Sequence, residues 1–117
     1  PIQYAMGYPN RLKNTFPRFD FANYGTLTFE KPDTNTFRNL GLAYEAMNKG
    51  GNLPCIINAA NEIAVAAFLQ DKIKFLQISD TIEACIQKVS FVAQPSYEDY
   101  VATDTETRRY AQDTMMC

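Results

Sequence analysis

A chain of 117 residues fits one modest domain with a small core, and an apolar fraction of 46% excludes wholesale disorder. Eleven basic and 13 acidic residues leave a net charge of -2, and no Lys/Arg cluster interrupts the balance. That composition supplies no basic field for nucleic acid or for an anionic membrane surface.

Taken in chain order, the first residues lack the charged and apolar regions of a secretory signal, so none is expected. Pro1 suits the first turn of a short helix running through Met6. Residues 1–36 are rich in aromatics and breakers, with Pro9, Pro17 and Pro32 set among Phe16, Phe19, Phe21, Tyr24 and Phe29. One strand signal appears there, at residues 26–30, where β-favouring side chains alternate. A lone strand leaves its backbone groups unpaired, and even a two-stranded hairpin is marginal in water. The region therefore either packs on the helices or belongs to a sheet whose other strands lie elsewhere, which is a first hint that the chain is part of something larger.

From residue 37 the pattern is helical. Phe37, Leu40, Tyr44 and Met47 recur at helical spacing, and Gly50-Gly51 end the segment. Gly41 inside it costs about 1 kcal/mol against alanine, so this helix leans on tertiary packing. Pro54 begins the next helix, expected to reach about Gln70. Its apolar run is interrupted by Asn58, Asn61 and Glu62 and is short of the roughly 20 residues of a membrane span. Ser79 is a candidate N-cap for a third helix carrying Ile82, Cys85, Ile86 and Val89 on one stripe. Ser96 is placed as the cap of a short helix through Val101. Thr103 is placed as the cap of a last one with Tyr110, Ala111 and Met115 inward. Short connections between amphipathic helices point to a small antiparallel bundle.

Chemistry is sparse. There is no histidine, hence no common general base or metal ligand of that kind. Gly50-Gly51 follows a helix, whereas a dinucleotide loop runs from strand through glycines to helix. The serines lack a partner base. Glu98, Asp99, Asp104 and Glu106 sit near expected helix starts, where carboxylates stabilise the dipole more often than they bind metal. Arg108-Arg109 reads as a solvated helix face before a phosphate site. Cys55, Cys85 and Cys117 match neither a zinc motif nor a redox pair. Core packing is favoured for the first two, in a reduced intracellular setting.

One constellation stands apart. Asn58, Asn61 and Glu62 share a helix face at spacings i, i+3 and i+4, on a helix that is otherwise apolar nearly all round. Buried polar groups without partners cost about 1–3 kcal/mol each, so the stripe must find hydrogen bonds. It is either a ligand site or a structural clasp. The clasp is favoured, because no second polarising group lies nearby, and the irregular segment at residues 30–33 is its expected partner.

The run Asn58-Ala59-Ala60-Asn61-Glu62, continuing through Ala64-Val65 and Ala67-Phe68-Leu69, resembles the N-A-A-N-E-x-A-V-x-A-F-L signature of 1-deoxy-D-xylulose 5-phosphate reductoisomerases. Pro1-Ile2-Gln3-Tyr4-Ala5, Leu27-Thr28-Phe29-Glu30-Lys31-Pro32-Asp33 and Leu42-Ala43-Tyr44-Glu45-Ala46 resemble further motifs of that family, in order. Residues 72–78 and 104–109 follow in their places, so the resemblance covers essentially the whole chain. Gly41 stands where the family usually has a longer side chain. The resemblance implies a cytoplasmic enzyme of non-mevalonate isoprenoid synthesis. That enzyme rearranges and reduces 1-deoxy-D-xylulose 5-phosphate to 2-C-methyl-D-erythritol 4-phosphate with NADPH and Mg²⁺ or Mn²⁺. It further implies a homodimer, inhibition by fosmidomycin, and an α/β multidomain parent ending in a helical bundle. The family's metal, phosphate and nicotinamide residues lie before the Pro1 motif, so the resemblance places no catalytic, cofactor or metal residue in this chain.

The expected fold is mainly α. Residues 1–36 form the tail of the catalytic domain and a linker with the strand near 26–30, and residues 37–117 form the C-terminal bundle. The expected role is structural, with the remainder of the parent enzyme as partner and neither nucleic acid nor membrane. The alternative is a self-association module in which the unpaired strand and aromatic linker join copies. A stand-alone enzyme is disfavoured for want of an acid–base set.

Overall fold

The computed structural model describes residues 1–115. They divide by their contacts into two units, Pro1–Lys31 and Pro32–Cys117. Among the described residues there are five helices: α1 (Ile2–Gly7), α2 (Arg38–Lys49), α3 (Leu53–Phe68), α4 (Gln77–Lys88) and α5 (Tyr97–Met115). None is long and apolar enough to cross a membrane.

In the first unit, α1 follows Pro1 as proline's fixed φ favours. Beyond it order is local. Asp20 holds a turn by accepting from the Ala22 N–H at 2.9 Å and from the Asn23 side-chain amide at 3.0 Å. Phe19 meets Phe21 edge-on and stacks on Tyr24, with centroids 4.9 and 5.1 Å apart. Arg11 lies 4.7 Å over the Tyr4 ring. No residue of this unit is buried, and only Gly7 is half-buried. The strand expected at residues 26–30 is not formed, and no strand occurs among the described residues. The alternating side chains are there, but strand structure is a property of a pair, and these residues have no ladder partner.

The second unit is a four-helix bundle with α3 at its centre. This helix packs on α2, α4 and α5, and α4 also packs on α5. The inner face of α3 is built from Ile56, Ala59, Ala60, Ala64 and Ala67. The alanines let neighbouring backbones approach, while Leu42, Leu53, Ile78, Ile82, Cys85 and Val89 supply the bulk. The α4 stripe is inward as its spacing predicts, with Ile86 partly buried. On α5, Ala111 is fully buried and Tyr110 and Met115 pack at the core's edge.

Local signals explain most helix ends. Asp33 accepts from the N–H groups of Asn35 and Thr36, both at 3.0 Å, and folds the turn before α2. Gly50 closes α2 at φ 66° and donates its N–H to the Ala46 carbonyl. Pro54 stands in the first turn of α3.

Three placements differ from the sequence pattern. The stripe Phe37, Leu40, Tyr44 and Met47 faces outward, and α2 buries Leu42 and Ala46 instead. Ser79 lies inside α4 and donates its hydroxyl back to the Leu76 carbonyl at 2.8 Å, so it is not the cap. The two short helices expected after Pro95 are one, because Thr103 turns its hydroxyl into the core and does not cap a new start.

Candidate functional site

The polar stripe lies on the side of α3 away from the core. Asn58 and Glu62 are exposed and Asn61 is half-buried. Asn58 donates its side-chain amide to Glu62 Oε1 at 3.2 Å. Glu62 Oε2 accepts from the Arg108 guanidinium on α5 at 2.7 Å, and Arg108 Nε donates to Asp104 Oδ2 at 2.8 Å. Asn61 makes no side-chain hydrogen bond among the described residues.

The stripe thus meets α5, and Asp33, expected among its partners, uses its carboxylate on its own turn. The premise of a helix buried all round fails for a physical reason: small alanines fill the inner face, leaving the opposite face to water.

Arg108 and Asn58 hydrogen bonding holds the Glu62 carboxyl below the usual carboxylate range. Arg108 in turn is pushed above its ordinary value by Asp104 and Glu62. The assembly is a charged fastening between α3 and α5. Both Glu62 oxygens are engaged, Oε1 by the Asn58 amide and Oε2 by the Arg108 guanidinium.

A second polar centre escaped the sequence pattern. Asn52 is fully buried at the start of α3. Its amide donates to the Ser90 carbonyl at 2.9 Å and to Thr103 Oγ1 at 3.1 Å, and its Oδ1 accepts from the Val92 N–H at 2.9 Å. Its own N–H donates to the Val92 carbonyl at 3.0 Å. One side chain therefore joins α3, the α4–α5 connection and α5. The only signal was its place between Gly50-Gly51 and an apolar run, which reads equally well as a loop.

Cys85 packs in the core as expected, while Cys55 is half-buried and outside the core cluster. Burial pushes the Cys85 thiol up to about 11, and burial with the nearby Asp104 raises Cys55, so neither is a thiolate nucleophile at neutral pH. Cys117 lies outside the described residues. Asp99 caps α5 together with Ser96. Arg109 is exposed. Among the described residues, no group of three or more His, Cys, Asp or Glu side chains is placed to hold a metal ion.

The geometry matches known proteins along its length. The family model described as the DXP reductoisomerase C-terminal domain matches residues 1–110. The chain belongs to this family. The domain is 60% identical over 113 residues to the 1-deoxy-D-xylulose 5-phosphate reductoisomerase of Bacteroides fragilis, covering 97% of this chain and 29% of that protein. It is 49% identical over 113 residues to the one from Chloroherpeton thalassium, again covering 97% of this chain and 29% of the relative. The chain therefore spans less than a third of the curated relatives it matches.

Solved structures agree. The reductoisomerase from Zymomonas mobilis in complex with NADPH superposes with a TM-score of 0.80 at 39% identity, over 99% of this chain and 31% of that one. A DOX-P reductoisomerase in complex with NADPH, fosmidomycin and magnesium gives a TM-score of 0.85 at 31% identity, over 98% of this chain and 30% of that one.

Proposed function

We propose that the chain is the C-terminal structural portion of an NADPH- and divalent-metal-dependent reductoisomerase. The parent converts 1-deoxy-D-xylulose 5-phosphate to 2-C-methyl-D-erythritol 4-phosphate in non-mevalonate isoprenoid synthesis. The observation that carries this is 60% identity sustained over 97% of the chain, against relatives of which it covers 29%. In this reading residues 1–36 are the end of the catalytic domain and its linker, and residues 37–117 are the supporting bundle. The enzyme is a cytoplasmic homodimer. NADPH and Mg²⁺ or Mn²⁺ bind to the rest of the polypeptide. Asn58, Asn61 and Glu62 are structural, not catalytic.

Two measurements test this. The reading frame that encodes the chain should also encode a preceding dinucleotide-binding and catalytic region. Titration calorimetry should give one NADPH per subunit for the full-length protein and none for the 117-residue chain. Tight stoichiometric NADPH binding by the chain alone would overturn the assignment.

A self-association role has one observation in its favour: the aromatics of residues 1–31 are exposed, Phe21 at 80% and Phe29 at 90%. Sedimentation separates the two readings, since a clean monomer at high concentration argues against pairing between copies.

A further inference from the structure

We propose that residues 33–41 form a strap that closes the entrance to the bundle, and that Gly41 is the residue on which its closure depends. Asp33 ties the strap. Its carboxylate accepts from the N–H groups of Asn35 and Thr36, both at 3.0 Å, and its carbonyl accepts from the Phe37 N–H at 2.9 Å. One residue thus satisfies three consecutive backbone donors, and the chain turns directly into α2. The turn comes down on the helix at Gly41. A Cβ there would lie 3.4 Å from the Thr34 carbonyl oxygen and 3.3 Å from Arg38 Nη1. The space a side chain would fill is therefore taken by the backbone of the turn and by the guanidinium of Arg38. Arg38 is the i−3 neighbour of Gly41 on α2, and its Nε donates to Glu83 Oε1 on α4. The strap thus fixes the start of α2 at two points, on its own turn and on α4, while the body of the helix packs on α3.

Two observations support this reading of Gly41. Glycine is the poorest helix former after proline, yet Gly41 stands inside α2. It is not held there by a left-handed backbone, since the glycines with positive φ are Gly50 and Gly51. Close approach of the Thr34 carbonyl and the Arg38 guanidinium is what remains to require it. The second observation is where the strap belongs. The two units divide between Lys31 and Pro32, so residues 33–41 fall wholly within the bundle's unit. The side-chain hydrogen bonds of the strap are nonetheless exposed. Closure therefore rests on local geometry and not on core burial, and the strap can open while α3, α4 and α5 stay folded. Alanine at position 41 asks only for a small shift of the flexible guanidinium, whereas a branched side chain must displace the turn, Arg38 or both.

Trypsin cleavage after Arg38, followed by mass spectrometry on the full-length protein, reads the strap, because a protease needs the segment around the bond to open. Gly41→Leu and Asp33→Ala should each speed that cleavage about tenfold, and Gly41→Ala should stay within about twofold of the unaltered protein. The double variant Asp33→Ala with Gly41→Leu should be cleaved no faster than the quicker single one, since both changes open the same strap. Amide hydrogen exchange in α3, α4 and α5 should be unchanged throughout. A Gly41→Leu protein cleaved at the native rate overturns the proposal. So does a double variant whose acceleration is the product of the two single ones, because the turn and Gly41 then act separately. Loss of protection along α3, α4 and α5, or failure of Gly41→Leu to fold, also overturns it, by showing that position 41 serves the core and not a local strap.

Discussion

Asn52 holds together residues far apart in sequence; its hydrogen bond to Thr103 is buried and those to Ser90 and Val92 are part-buried. Asn52→Ala leaves the Val92 N–H and the Ser90 carbonyl without their partner. The expected loss is about 1–3 kcal/mol, since a stranded buried group costs about 1–3 kcal/mol and the two left here keep partial access to water. Urea unfolding monitored by circular dichroism measures it, and a loss under about 0.5 kcal/mol would mean the knot is replaced by water. Its neighbour Gly51 is held by two constraints at once. Its φ is 61°, and a Cβ there would sit 2.5 Å from the Val92 carbonyl oxygen and 2.7 Å from the Phe91 ring. Gly50, at φ 66°, has open space around it. Both Gly→Ala changes are strained, at about 1–3 kcal/mol, but Gly51→Ala carries a backbone clash as well. Its melting temperature should fall clearly below that of Gly50→Ala; equal values would show that the 51–92 contact yields freely. The polar stripe was legible as a set of residues, because i, i+3 and i+4 spacing is a property of any helix. Its partner was not, because pairing with Arg108 depends on how α5 crosses α3, and helix crossing leaves no local mark in sequence.

At the scale of elements, periodicity and punctuation located α2, α3 and α4 well, while the direction of a face was harder. On α2 two apolar stripes compete, and the larger side chains lost to Leu42 and Ala46 because small residues let α2 approach the alanine face of α3. On α5 the reading of Thr103 as a start signal failed because a threonine hydroxyl serves a cap or a buried partner equally well, and here Asn52 claims it. The true start is reciprocal. The Asp99 N–H donates to Ser96 Oγ at 3.1 Å, and the Ser96 N–H donates to Asp99 Oδ2 at 2.9 Å. Ser96→Ala should therefore cost about 1 kcal/mol, the usual worth of an N-cap. Amide hydrogen exchange provides the sharper readout. Residues 97–101 should exchange faster while residues 103–111 keep their protection; uniform acceleration along α5 would mean the helix unfolds as a unit and the box is not a local device.

For the molecule as a whole, pH separates its two kinds of titrating group. No histidine is present, so no side chain changes charge by its own ordinary titration between about pH 5.5 and 8. On the acid side three carboxyls lie below their ordinary range: Asp33 chiefly through hydrogen bonding to Thr36, Glu62 through Arg108, and Asp99 through Ser96. A carboxyl whose folded pKa is depressed adds stability that is complete above its unfolded value, about 4, and is lost as pH falls towards the folded value. All three are exposed, so each contribution is screened and modest. On the alkaline side the sign reverses. The Cys85 thiol is pushed up to about 11, so the unfolded chain ionises first and stability declines as pH rises through that interval. The thermal midpoint of the protein should thus be flat near neutrality and fall below about pH 4. It should fall again above about pH 9. Glu62→Gln should reduce the acid slope, and Cys85→Ala should remove part of the alkaline one. A midpoint that stays level or rises from pH 5 to pH 3 would show that these carboxyls are as well satisfied in the unfolded chain as in the bundle.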